Sequence, residues 1–208
     1  GYSGEYLGLT GKVLVGTQAL AADLADRAIN SDNLEDYWDS LTNNEMMTVD
    51  QRISRLHSVI DSAKLEEDDS WLSPEIDGTF NFDSPAKIMQ ALENSGSSWA
   101  METLEVLQKR SPLMLHVSLR QIRLGRHMSL ADELRLERTL VQHCFYTHHL
   151  KRTGAQTETV EGIRALVIDK DHNPAWNPTR IQDVTSEMVD PFFVSPWAET
   201  DHPLADLN

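Results

Sequence analysis

Apolar residues recur at three- and four-residue intervals along most of the chain, the spacing of helices that each bury one face. Thr48 with Gln51 makes a capping box ahead of Ile53, Leu56, Ile60 and Ala63, which predicts a helix from 49 to 63 with those four residues on one face. The run Glu66-Glu67-Asp68-Asp69 breaks the pattern and reads as a solvated loop. Ser84-Pro85 couples an N-cap to a proline at the first helical position and opens a helix to about Asn94. Ser95-Gly96-Ser97-Ser98 interrupts it, and Trp99 to Gln108 resumes with Leu104 and Leu107 inward. Ser111-Pro112 repeats the device and predicts a helix through Leu124, stopped by Gly125. Ser129 with Asp132 caps the next helix, expected to reach His149 with Leu130, Leu134, Leu140, Val141 and Cys144 inward.

Beyond it, the polar stretch Thr153 to Thr159 separates a short helix near Val160 to Asp169. Pro174, Pro178, Pro191, Pro196 and Pro203 leave room for one or two short helices in the tail. Arg27-Ala28-Ile29 is the best strand candidate. With no internal repeat and no alternation of strands and helices, the expected fold class is mainly α.

Composition narrows the function classes. Of 208 residues, 40% are apolar and 25% charged, enough apolar residues to pack a core. Eighteen Lys and Arg against 33 Asp and Glu give a net charge of −15, the wrong sign for a surface that replaces phosphate counterions, so no nucleic-acid partner is expected. No apolar run approaches the ~20 residues of a membrane span, so no membrane partner is expected. Cys144 is the single cysteine, which excludes an internal disulfide and a cysteine-built zinc cage and fits a reducing compartment. The chain opens on Gly1 without a signal-like leader and reads as a fragment or a processed chain.

Candidate chemistry is sparse. Glu75 and Asp83 form a carboxylate pair of the kind that does acid–base work, but nothing near them in sequence promises the burial that tunes such groups, and an exposed acidic loop is the simpler reading. His143, His148 and His149 cluster beside Cys144; only Cys144 and His148 have helical ligand spacing, and two ligands do not make a metal site. Arg110, Arg120, Arg123, Arg126, Arg135 and Arg138 form a basic band suited to phosphates or an acidic partner, or to local pairs such as Arg138 with Glu133 and Glu137. Gly8, Gly11 and Gly16 lack the spacing of a phosphate-cradling loop, and no G-x-S-x-G elbow exists. The residues by themselves define no active site.

Longer motifs say more. Leu9-Thr10-Gly11, with Gly16, Ala19, Leu24-Ala25 and Ile29 behind it, resembles a segment of the crotonase (enoyl-CoA hydratase/isomerase) superfamily. Gly96-Ser97-Ser98-Trp99-Ala100, Lys109-Arg110-Ser111-Pro112-Leu113, Ser118-Leu119-Arg120-Gln121, Gly125-Arg126 and Ser129-Leu130 follow in order. With the run Glu161-Gly162-Ile163-Arg164-Ala165-Leu166-Val167-Ile168-Asp169-Lys170-Asp171, then Pro174 and Trp176, the chain resembles the 3-hydroxyisobutyryl-CoA hydrolase branch.

The resemblance covers the family's C-terminal half and implies the helical C-terminal region of a crotonase-like fold whose β/α core is missing. It implies three parts: residues 1–30 as the end of the core, 31–95 as a helical linker region, and 96–208 as the C-terminal helical region with its proline-rich tail. The family's core supplies the oxyanion donors and the catalytic Glu and Asp, so no catalytic residue is expected in this chain, no cofactor is needed, and the chain alone is expected to be inactive. Pro74-Glu75 with Phe82-Asp83 copies the spacing of the catalytic pair, but it lies downstream of Leu9-Thr10-Gly11 and lacks the proline and glycines around the aspartate, so it is rejected. Two departures stand out: Asp23-Leu24-Ala25 replaces Gly-Leu-Ala, and Glu158-Thr159 replaces Asp-Phe after a longer approach from Lys151.

For the parent protein the resemblance implies hydrolysis of an acyl-CoA thioester in valine degradation, in the mitochondrial matrix. The partners it implies are the acyl-CoA substrate and the upstream core, and the helices without that core are expected to self-associate. Lys170 is the residue singled out to contact the CoA moiety; the plainer alternative pairs it with Asp169 or Asp171 on the surface. Two rival readings stay open. One is a structural protein of the mitochondrial small ribosomal subunit built on the same fold, marked by loss of the upstream Glu or Asp. The other is an enoyl-CoA hydratase or isomerase, against which the Ile168-Asp169-Lys170-Asp171…Trp176 segment speaks.

Overall fold

The structure, a computed structural model, describes residues 1–42, 47–61 and 68–207. Two compact units form, one from Gly1–Lys12 with Pro74–Asn208 and one from Val13–Ser73. The chain opens with helix α1 (Ser3–Thr10), closed by Gly11 in the left-handed region at φ 66°. Sequence periodicity did not reveal this helix, because its eight residues mix small and polar positions with only Tyr6 and Leu9 as buried apolar ones.

In the Val13–Ser73 unit, α2 (Gly16–Ala21) is followed by α3 (Leu34–Thr42) and α4 (Val49–Asp61). The Thr48 capping box forms as expected: the Thr48 N–H donates to Gln51 Oε1 at 3.0 Å and the Gln51 N–H to Thr48 Oγ1 at 3.3 Å. Ile53 is 42% exposed and so is not a core position of this helix. Ala63, Glu66, Glu67 and the side chains of Leu56 and Ile60 lie outside the described residues. Asp68 accepts hydrogen bonds from the Ser70 N–H and from Gln18 Nε2. Asp23 stands at φ 54°, the left-handed region that glycine enters freely and aspartate tolerates. Arg27-Ala28-Ile29 is irregular, and no strand occurs among the described residues; three residues without a partner strand have no ladder to join.

The other unit continues with α5 (Ile76–Phe80), α6 (Pro85–Ser95), α7 (Ser98–Gln108), α8 (Pro112–Gly125) and α9 (Leu130–Phe145). Ser84, Ser97, Ser111 and Ser129 each cap a helix by accepting a backbone N–H three residues on. Gly125 is the last residue of α8 and does not take the left-handed conformation expected of a stop. A side chain there would meet the Glu133 carboxylate at 3.0 Å, so it is space that glycine supplies. α9 ends at Phe145, four residues short of expectation. Its inward stripe is Leu136, Leu140 and Cys144, spaced by four, which leaves Leu130 and Val141 on the exposed side.

Two clusters hold this unit. Tyr6, Phe80 and Trp99 join α1, α5 and α7, with Tyr6 edge-on to Phe80 at 5.4 Å between ring centroids. Leu113, Val117, Leu140, Val189 and Phe192 join α8 and α9 to the tail. α1 crosses α8 so closely that a Cβ on Gly8 would lie 2.5 Å from Ile122 Cδ1. After α9, α10 (Glu158–Ile163) starts two residues earlier than expected, because Thr157 caps it by accepting the Val160 N–H at 3.3 Å. It widens into one π turn over Arg164–Ile168. The tail holds a single short α-helix, α11 (Ser186–Val189), and 3-10 turns at Ile181–Asp183, Asp190–Phe193 and Glu199–Asp201.

Candidate functional site

A cavity of about 700 Å³ opens within the larger unit between α1, the α7–α8 junction and the segment from Glu158 to Trp176; its walls include Leu9, Arg110, Met114, Glu158, Leu166 and Trp176. Each wall is fixed by polar contacts. Arg110 donates to the Thr10 carbonyl, which ties the α7–α8 junction to the end of α1. The Ser111 hydroxyl donates to Glu158. Trp176 Nε1 donates to the Lys109 carbonyl at 3.0 Å. Gly162 makes room for that indole, since a Cβ there would lie 3.3 Å from Trp176 Cη2.

The Glu161–Trp176 segment closes on itself. Arg164 holds Glu161 through two nitrogens at 2.8 and 3.0 Å, Asp169 and Asp171 at 2.7 Å each, and the Asn173 carbonyl at 3.1 Å. Glu161 also accepts from the Ala175 N–H at 2.6 Å. Lys170 lies at the exposed apex of this turn, and His172 and Asn173 of the same turn line the cavity. The expectation that Lys170 pairs with Asp169 or Asp171 does not hold: both carboxylates belong to Arg164, a residue whose role sequence reading missed. An arginine three residues after a glutamate, with Asp-x-Asp beyond it, was the available signal.

The other candidates take structural roles. Glu75 is half-buried rather than an exposed loop residue, and it accepts from the Ser95 and Ser97 hydroxyls at 2.5 and 2.7 Å. Those hydroxyls, Ser95 foremost, hold its carboxyl below the usual range, the wrong direction for a proton donor at neutral pH. Asp83 pairs with Lys87 at 2.9 Å, which lowers it in the same way. The arginine band is spent mainly on tertiary ties instead of local helix pairs. Arg120 pairs with Asp190, Arg123 reaches the carbonyls of Phe80 and Phe82, Arg126 pairs with the buried Glu5, and Arg135 reaches the carbonyls of Leu204, Ala205 and Leu207. Arg138 lies over the Trp197 ring at 4.9 Å.

Among the described residues no group of three metal-ligating side chains converges. His143 and His149 instead bind the tail through the carbonyls of Val194 at 2.9 Å and Met188 at 3.1 Å. Cys144 is half-buried, and burial pushes its thiol upward. Burial first, then the neighbouring charges of His143 and Arg152, holds His149 below its ordinary value of 6.5, with the Met188 carbonyl opposing. The unfolded chain therefore takes up this proton first as pH falls, so the stability linked to His149 is full above pH 6.5 and is lost below it. Urea unfolding at pH 7.5 and pH 5.5 is expected to show that loss, and His149→Gln to reduce it; an equal loss in the variant would assign the sensitivity to another group.

Comparison with known proteins agrees with this architecture. The chain matches the Enoyl-CoA hydratase/isomerase family over residues 1–193. It is 32% identical over 197 residues to the mitochondrial 3-hydroxyisobutyryl-CoA hydrolase of Gallus gallus, covering 93% of this chain and 49% of that protein. It is 34% identical over 203 residues to probable 3-hydroxyisobutyryl-CoA hydrolase 2 of Arabidopsis thaliana, covering 93% and 51%. The chain thus spans about half the length of the curated relatives it matches. Among solved structures, an enoyl-CoA hydratase from Rhodobacter sphaeroides superposes with a TM-score of 0.72 at 28% identity, over 92% of this chain and 51% of that one. With a continuous match from α1 to the Asp190–Phe193 turn and a helical fold shared with these enzymes, the chain belongs to the enoyl-CoA hydratase/isomerase family.

Proposed function

We propose that this chain is the helical C-terminal part of a CoA thioester hydrolase that acts on 3-hydroxyisobutyryl-CoA, a step of valine breakdown in the mitochondrial matrix. The observation that carries the reading is the Glu161–Trp176 turn, closed by the ties of Arg164 and Glu161 and set on the cavity wall, in a chain whose relatives of that name match more than nine-tenths of its length. Mitochondrial appears in the name of the Gallus gallus relative, which supports the location.

In this reading the thioester carbonyl is activated by backbone N–H donors, and a carboxylate assists the attack, all from an upstream core. This chain's own residues do two things. The 158–176 segment and the α8 start wall off the acyl-CoA pocket, and Lys170 offers its ammonium to the phosphates of CoA. Leu166, Val167 and Ile168, 57–67% exposed on the π turn, are an apolar face for the core to cover.

The test is thioesterase activity on 3-hydroxyisobutyryl-CoA, measured for this chain and for the protein with its upstream core, with light scattering on the chain alone. The expected result is turnover only when the core is present and self-association of the chain without it. Activity of the chain alone would return the chemistry to Glu75 and Asp83. Silence of both would favour the ribosomal structural role, and a monomer at high concentration would refute the exposed-face argument.

A further inference from the structure

The side chain of Arg164 is saturated. A guanidinium has five N–H donors, and here they meet five acceptors: both oxygens of Glu161, one oxygen each of Asp169 and Asp171, and the Asn173 carbonyl. The two aspartates bracket Lys170. The second oxygen of Asp171 is also occupied, by the Asn173 N–H at 2.9 Å. Backbone bonds from the Asp169 N–H to the Arg164 carbonyl at 2.8 Å and from the His172 N–H to the Ala165 carbonyl at 3.1 Å close the loop. Inside it Lys170 and His172 take the left-handed region at φ 56° and 52°, which L side chains adopt only where surrounding contacts enforce it. Lys170 forms no ion pair among the described residues, although it stands between two carboxylates in sequence.

We infer that Arg164 is a positioning residue which, by taking both aspartates that flank Lys170, keeps the Lys170 ammonium unpaired and presented at the apex of the turn for the phosphate groups of the acyl-CoA. The inference rests on the reading of Lys170 as a CoA contact given above. A lysine could not replace Arg164, because one ammonium lacks the planar fork that reaches two aspartates and Glu161 together. Without that fork the released aspartates are the nearest anions to Lys170, and the ammonium is consumed locally.

The experiment reads Lys170 directly. Its acetylation by acetic anhydride is followed by mass spectrometry relative to Lys12 in the wild-type chain, in R164Q and in R164Q/D169N/D171N. Pairing favours the charged amine, so R164Q is expected to slow Lys170 labelling about threefold or more. The triple variant is expected to return to near the wild-type rate, because the competing carboxylates are gone. Wild-type labelling in R164Q overturns the inference. So does a slowed rate that the asparagines do not restore, which is what a purely structural arginine would produce. Should R164Q lose its helical circular dichroism, R164K and R164K/D169N/D171N provide the same pair of readings. Labelling of the wild-type chain is repeated with CoA and with dephospho-CoA. Failure of both to protect Lys170 retires the CoA reading of Lys170 and leaves the labelling series to decide what Arg164 does.

Discussion

Replacing Glu158 with alanine is expected to lower the stability of the larger unit by about 3–5 kcal/mol, the cost of breaking a buried ion pair from one side. Glu158 is 6% exposed, and its carboxylate accepts from three separate places. They are the Ser111 hydroxyl at the start of α8, Arg152 at 3.2 Å in the loop after α9, and the Asn177 N–H at 3.1 Å in the tail. The Arg152 side chain is itself only 10% exposed, so alanine strands a desolvated cation. Glu158→Gln keeps one oxygen for the Arg152 and Asn177 donors and turns its amide NH2 toward the Ser111 hydroxyl, which can accept, so it is expected to cost less, about 1–3 kcal/mol. Replacing Glu158 and Arg152 together by methionine removes both charges and is expected to recover most of the loss. Urea titrations of the four proteins check this. If E158A lies within about 1 kcal/mol of wild type, the carboxylate is hydrated and the three-way tie is not what holds α8, the loop and the tail together. The same variants bear on the site, because Ser111 and Glu158 line the cavity.

A loss of about 3–5 kcal/mol is also expected from Phe80→Ala. Phe80 is fully buried where α1, α5 and α7 meet, edge-on to Tyr6 at 5.4 Å and to Trp99 at 6.4 Å between centroids. Alanine removes the ring's buried area, leaves a cavity and dissolves both aromatic pairs, each worth about 0.5–1.5 kcal/mol beyond area. Phe80→Leu fills most of the volume and is expected to cost less than half as much. Denaturant unfolding gives the free energies, and near-ultraviolet circular dichroism reports Trp99. Equal losses for Ala and Leu would mean that shape, and not volume, decides this site. The consequence reaches the cavity because α1, which with its cap Gly11 supplies Gly8 and Leu9 to the wall, is anchored at Tyr6.

Much of this was legible in the chain itself. The serine caps at 84, 111 and 129 and the Thr48 box are local devices, complete within four residues, and they appear where the residues placed them; the Ser97 cap lies in a stretch that read only as a break. Helix interiors with regular apolar spacing, such as α6 and α7, followed for the same reason. α1 and α5 did not, because eight and five residues carry too little periodicity and their burial comes from distant partners. Ordered motifs also carried the family, which no physical pattern in the residues would have named.

What only the tertiary structure decided is where the charges go. The spacing of Arg138 with Glu133 and Glu137 suggested helix-surface pairs, yet Arg138 lies over Trp197, Arg120 pairs with Asp190, and Arg126 reaches the buried Glu5. Glu158 joins residues 47 positions before it to others 19 positions after it. Lys170 stands between two aspartates in the sequence, yet both pair with Arg164, six positions earlier, and among the described residues Lys170 forms no ion pair. Caps and apolar spacing act over one helical turn, so the sequence by itself determined the capped and regularly spaced helices, and its ordered motifs the family. A long cation takes the best acceptors that folding brings within reach, and those are set by packing between segments far apart in the chain.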